Sequence, residues 1–137
     1  MLIGERRAGT ALLEFALVVP LFLLICLAGI DFARAFSSAL VISGANRVGL
    51  QYAAQNPGIS AIPGVVAADA GLAGLKTSAM QYCACSAGGT WVACTSTCSG
   101  KMTYTEVTSS VPFKTVAPWP GVPNSLTLSV SGFIRVQ

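Results

Sequence analysis

This chain of 137 residues has no histidine, and only 9% of its residues are charged. Without imidazole it lacks the usual general base near neutral pH and the commonest metal ligand. Eight Lys and Arg against five Asp and Glu leave a net charge of +3. That charge is scattered, with no basic run interleaved with aromatics, which argues against nucleic acid as a partner. So few charges beside a hydrophobic fraction of 53% exclude a freely soluble globule over the whole length. The length suits one small unit, not two large domains. Carboxylate chemistry is equally thin. Asp31, Asp69 and Glu106 lie in separate segments outside any catalytic pattern, and their simplest reading is solvated polar positions. The expectation is a non-enzymatic protein with no cofactor, no metal site and no catalytic residue.

What the chain does have is a long apolar run behind a basic leader. From Ala11 to Ile30 Glu14 is the single charge, and about 20 such residues suffice to cross a bilayer as a helix. A carboxylate there is costly in lipid unless something pairs with it, so Glu14 is a functional candidate by default. The rival reading is hydration of Glu14 near the membrane surface. A cleaved secretory signal also begins with basic residues and an apolar core, and Ala33-Arg34-Ala35 offers it a cut site. Against that stand the length of the apolar run, Glu14, and a helical texture that continues past Ala35. Arg6 and Arg7 before the run place the leader in the cytoplasm and the bulk of the chain outside.

No proline occurs between Pro20 and Pro57, and Asn56-Pro57-Gly58 supplies a helix stop. A helix from Thr10 to Ala54 would be roughly 68 Å long, with a local kink expected at Pro20. Gly29, Ala33, Ser37, Val41, Ala45, Gly49 and Ala53 recur every fourth residue, nearly all small. Such a row lets helices approach closely, although a helix rich in Ala, Gly and Ser also produces one by chance.

Residues 57–76 are rich in Gly, Ala and Pro, with a short helix expected over Val65–Ala70. Beyond Thr77 the texture becomes alternating and β-branched. Strands are expected over Thr77–Cys85 and Met102–Phe113. A third carries Leu126, Leu128, Val130, Gly132, Ile134 and Val136 on one face. Residues 117–124, with Pro118, Pro120 and Pro123, form a loop. A small sheet of this kind needs a helix or cross-links to be stable. Cys83, Cys85, Cys94 and Cys98 fall within 16 residues, in a segment expected to face an oxidising compartment where disulfides persist. Four cysteines allow three pairings. With a hairpin turning at Gly88-Gly89, nested Cys85–Cys94 and Cys83–Cys98 bonds fit best. A four-thiolate zinc site is the rival, but the spacing lacks paired C-x-x-C motifs. Cys26 in the apolar helix is most simply a small apolar residue.

Gly9-Thr10-Ala11-Leu12-Leu13-Glu14-Phe15 matches the processing signature of type IV-like pilins, a glycine followed five positions later by glutamate. The wider segment, with Arg6-Arg7, Pro20 and Asp31-Phe32-Ala33-Arg34, resembles the N-terminal segment of the TadE-like family. These are pseudopilins of tight-adherence (Tad, Flp-type) pilus systems. The similarity is strong over about the first 55 residues. Afterwards only the strand texture and the CxC…CxxxC pattern resemble family members. The resemblance implies cleavage by a prepilin peptidase between Gly9 and Thr10. It also implies that Glu14 and Phe15 serve subunit assembly, Glu14 by pairing with a neighbour's amino terminus. Implied partners are that peptidase, other Tad pilins and pseudopilins, the inner-membrane assembly platform and membrane lipid. The implied location is the inner membrane, single-pass, or the pilus itself. The expected architecture is α+β and pilin-like. It comprises a leader over 1–9, a transmembrane and extended helix over 10–56, and a small disulfide-bonded antiparallel domain over 57–137. A membrane-anchored extracytoplasmic binding module is the alternative.

Overall fold

A computed structural model describes residues 5–56, 58–86 and 89–136. The Pro57 stop and the Gly88 half of the anticipated turn lie outside the described residues. Helix α1 spans Glu5–Gln55, 51 residues that include Pro20, or about 76 Å at 1.5 Å per residue. Over residues 11–30 it is apolar but for Glu14 and exposed almost throughout; Leu17 is 77% exposed and Phe22 63%. A helix of that kind is stable only when lipid or other helices surround it. Farther along, the character of one face changes. Ile42, Ala45, Asn46, Gly49 and Ala53 are buried against the rest of the chain.

Helix α2 covers Ile62–Ala70, starting earlier than the sequence suggests. Pro63 occupies the first turn, where its missing N–H would have had no helical partner anyway. Gly71, at φ 58°, caps the other end with its N–H on the Ala67 carbonyl at 3.2 Å. That left-handed conformation suits glycine. Four strands follow: β1 (Lys76–Ala84), β2 (Trp91–Val92), β3 (Met102–Lys114) and β4 (Ser125–Arg135). They form one antiparallel sheet in the order β2-β1-β3-β4, so the architecture is α+β.

The sheet packs one face on α1 and α2. Thr105, Val107, Ser109, Val111 and Phe113 of β3 are buried, alternating with more exposed residues, as a period of two requires. Val107 is the centre of the core and meets Ala45, Ala53, Ile62 and Val66. Leu128, Val130, Gly132 and Ile134 of β4 lie on the same face. The approach is close enough that a Cβ at Gly49 would collide with the Val66 Cγ2 methyl, with Ile62 and Val107 methyls at 3.5 Å. A small polar network crosses this interface. Asn46 Nδ2 donates to the Val107 carbonyl at 3.1 Å, and the Ser109 hydroxyl donates to Asn46 Oδ1 at 2.9 Å. Ser109 Oγ also lies 3.3 Å from Thr77 Oγ1. Buried amides are tolerated when their donors and acceptors are used in this way.

Two expectations change. The row of small residues divides. Ala45, Gly49 and Ala53 pack within the chain itself, whereas Gly29, Ala33 and Ser37 are exposed. The cysteines pair as Cys83–Cys94 and Cys85–Cys98, interleaved rather than nested. The reason is register. Cys83 lies opposite Val92, so the antiparallel ladder puts Cys94 diagonal to Cys83, on the side away from Cys85. A turn with the Ser96 N–H on the Ala93 carbonyl then redirects the chain, and Cys98 reaches Cys85.

Candidate functional site

Three regions bear on function, and the first is the uncovered part of α1. Gly9, Thr10, Glu14 and Phe15 are all exposed there. Ala11, Glu14, Phe15 and Val18 share one side of the helix and line a shallow groove of about 270 Å³. Helical spacing explains this, since positions three, four and seven apart fall on one face. The groove is apolar except for the carboxylate. Its chemistry suits a neighbouring helix that brings a positive group to Glu14. Cys26 is exposed on the same helix as a free thiol.

The second region lies immediately beyond the apolar run, where the structure overturns the reading of Asp31 as a solvated position. Asp31 is only 6% exposed. Its carboxylate accepts the Val116 N–H at 2.9 Å and 3.1 Å, the Ala117 N–H at 3.4 Å and the Trp119 indole N–H at 2.9 Å. Arg34 adds an ion pair at 3.3 Å and lies over the Phe113 ring at 5.4 Å. Asp31 therefore ties α1 to the loop between β3 and β4. The Trp119 bond, then the Val116 amide, hold its carboxyl below the ordinary carboxylate range. Burial opposes them, while the Ala117 amide and Arg34 assist. Beside it, Asp31, Phe32, Ala35, Phe113, Trp119 and Leu126 help line an apolar groove of about 300 Å³.

At the opposite end of the sheet, the two disulfides fasten the segment between β1 and β3. With the four sulfurs bonded in pairs, the zinc alternative has no thiolates to draw on. The sheet face turned away from the helices carries an aromatic group. Trp91 is 5.4 Å from both Tyr82 and Tyr104, and Tyr82 is 6.3 Å from Phe133. The Glu106 carboxylate beside Tyr82 raises its phenol above the ordinary range, by hydrogen bonding first and charge second.

The structure keeps Glu14 and Phe15 together and places all four cysteines together, but it does not join these two groups. Sequence reasoning missed the Asp31 clasp. Its partners are 85–88 residues away, and a loop amide leaves no local mark. The usable signal was a lone tryptophan among prolines, since a buried indole N–H normally needs an acceptor.

No curated protein and no solved structure matches this chain. The family model described as TadE-like protein matches residues 9–55, from Gly9 to the end of α1. It is through this helix, carrying Gly9, Glu14, Pro20 and Asp31-Phe32-Ala33-Arg34, that the chain is similar to the TadE-like family.

Proposed function

We propose that this protein is a pseudopilin or minor pilin of a Tad-type pilus system, a structural subunit and not an enzyme. A prepilin peptidase cuts after Gly9, residues 11–30 anchor the mature chain in the inner membrane, and the domain after α1 stands on the extracytoplasmic side. The observation that carries this reading is the uncovered part of α1. Over residues 11–30 it is apolar except for one carboxylate near its start, and it is left bare by the chain's own domain. An anchor alone would not need Glu14, which is costly in lipid. A subunit that must find a neighbour's newly made amino terminus would use it. Glu14 then supplies recognition, Phe15 and the surrounding leucines supply packing, and other Tad pilins and the assembly platform are the partners. Membrane fractions of a Gly9→Leu variant test this directly. The leader should persist, so that N-terminal sequencing reads Met1, whereas the natural chain reads Thr10. A Thr10 start in the variant would remove the processing step from the proposal.

A further inference from the structure

The apolar run Ala11–Ile30 is about 30 Å long as a helix, the thickness of the hydrocarbon core. Asp31 is thus the first charged residue past that core. It is also the residue that holds the β3–β4 loop, through Val116, Ala117 and Trp119. The bonds fix the loop at the height of Asp31, and hence at the membrane boundary. The loop's composition fits that height. No charged residue occurs between Lys114 and Arg135, while Val116 and Val122 are exposed. Phe32 and Phe36 of α1 are exposed at the same level. Lys114 and the half-exposed Arg34, which also pairs with Asp31, flank the apolar surface, where their side chains can reach lipid phosphates. Asp31, the acid at this site, is already engaged within the chain. Tryptophan is the side chain that favours the interface between headgroups and acyl chains.

We propose that the β3–β4 loop is a second membrane contact. Val116, Trp119 and Val122 lie in the outer leaflet's interfacial layer, and acyl chains enter the groove between the loop and Phe32. The domain consequently sits on the bilayer instead of standing away from it on a bare helix. This rests on residues 11–30 spanning the membrane, so the test must separate the two claims.

The chain has two tryptophans, and they suit the purpose. Trp91 pairs with Ala84, itself opposite Met102 at the far end of β3, roughly 40 Å from the loop at 3.3 Å per residue. Full-length protein is reconstituted at high lipid excess in phosphatidylcholine–phosphatidylglycerol vesicles. The acyl chains carry bromine either near the headgroup or near the bilayer centre. Trp91→Phe leaves Trp119 as reporter, and Trp119→Phe leaves Trp91. A third protein, carrying both changes and Phe22→Trp, reports on the middle of the span. Trp119 should lose at least half its emission to shallow bromine and less to deep bromine. The Phe22→Trp reporter should show the reverse order, and Trp91 should be unaffected by either. Deep quenching of the Phe22→Trp reporter with none of Trp119 overturns the loop contact alone, as when another protein surface covers it. Equal quenching of Trp91 and Trp119 also overturns it, since the domain would then adsorb without orientation. An unquenched Phe22→Trp reporter overturns the spanning segment, and the loop contact with it.

Discussion

Adding one methyl group at two glycines of the same helix should shift stability in opposite directions. Gly→Ala in a helix interior gains about 1 kcal/mol from propensity alone. At Gly44 a new Cβ meets nothing within 4 Å, so that gain should appear nearly in full. At Gly49 the new Cβ would fall inside the contact distance of Val66 Cγ2, with methyls of Ile62 and Val107 at 3.5 Å. Val66 sits in α2 and is β-branched, which restricts it to one favoured rotamer. It cannot swing aside, so α2 must move away from α1. Overpacking of this kind costs about 1–3 kcal/mol. Subtracting the propensity gain leaves Gly49→Ala up to about 2 kcal/mol less stable than the natural chain. For a domain of this size 1 kcal/mol corresponds to about 4–8 °C in melting temperature. Thermal unfolding of the detergent-solubilised protein, followed by the sheet's circular dichroism, should therefore rise for Gly44→Ala and fall for Gly49→Ala. Combining Gly49→Ala with Val66→Ala should cost less than the two changes separately, because each relieves the other. A rise for Gly49→Ala matching that of Gly44→Ala would refute the close helix-to-helix approach.

Three further outcomes follow from the sites. Asp31 has a folded pKa depressed below its ordinary value near 3.8, so its contribution is present above that value and is lost as pH falls through the depressed one. In the Trp91→Phe background, Trp119 emission should stay constant from neutral pH to about pH 4 and change only in stronger acid. Asp31→Asn should abolish that acid transition, and an unchanged transition in the variant would assign it elsewhere. Glu14→Gln keeps the side chain's shape without its charge. It should be processed and membrane-inserted yet fail to co-purify with other pilins, and wild-type piliation would leave the pairing role unsupported. Peptide mapping without reductant should recover Cys83 joined to Cys94 and Cys85 joined to Cys98. Reduction should then destabilise the domain by about 2–4 kcal/mol per bond, the entropic value for short loops. Recovery of the nested pairs would contradict the strand register.

The elements themselves were easy to read from the sequence because their signals are local. Alternation from Leu126 to Val136 identifies a half-buried strand by period alone, and β4 runs Ser125–Arg135. The apolar run and the uninterrupted stretch from Pro20 to Pro57 likewise announce one long helix, and α1 ends at Gln55. What was hidden depends on contacts across the chain. Cysteine pairing turns on the register of β2, a strand of two residues with no pattern of its own. The role of Asp31 depends on a loop 85 residues later. The small-residue row carried a true signal for close helix packing, but the sequence does not say with whom. Part of it is answered inside the chain by Val66.

The one-sided burial of α1 has a geometric consequence for anything that packs along it. Through the apolar run every azimuth is open. From Ile42 to Ala53 one azimuth is filled by the chain's own sheet and α2. The free azimuth there presents Leu40, Gly44, Arg47 and Gln51, all four of them exposed and two of them polar. Neighbouring helices can therefore surround α1 below and approach it only from the back above. In any bundle of such helices, every sheet must point outward from the bundle axis. In such a bundle the domain would act as an angular key, setting which way each chain faces before any contact between domains is made.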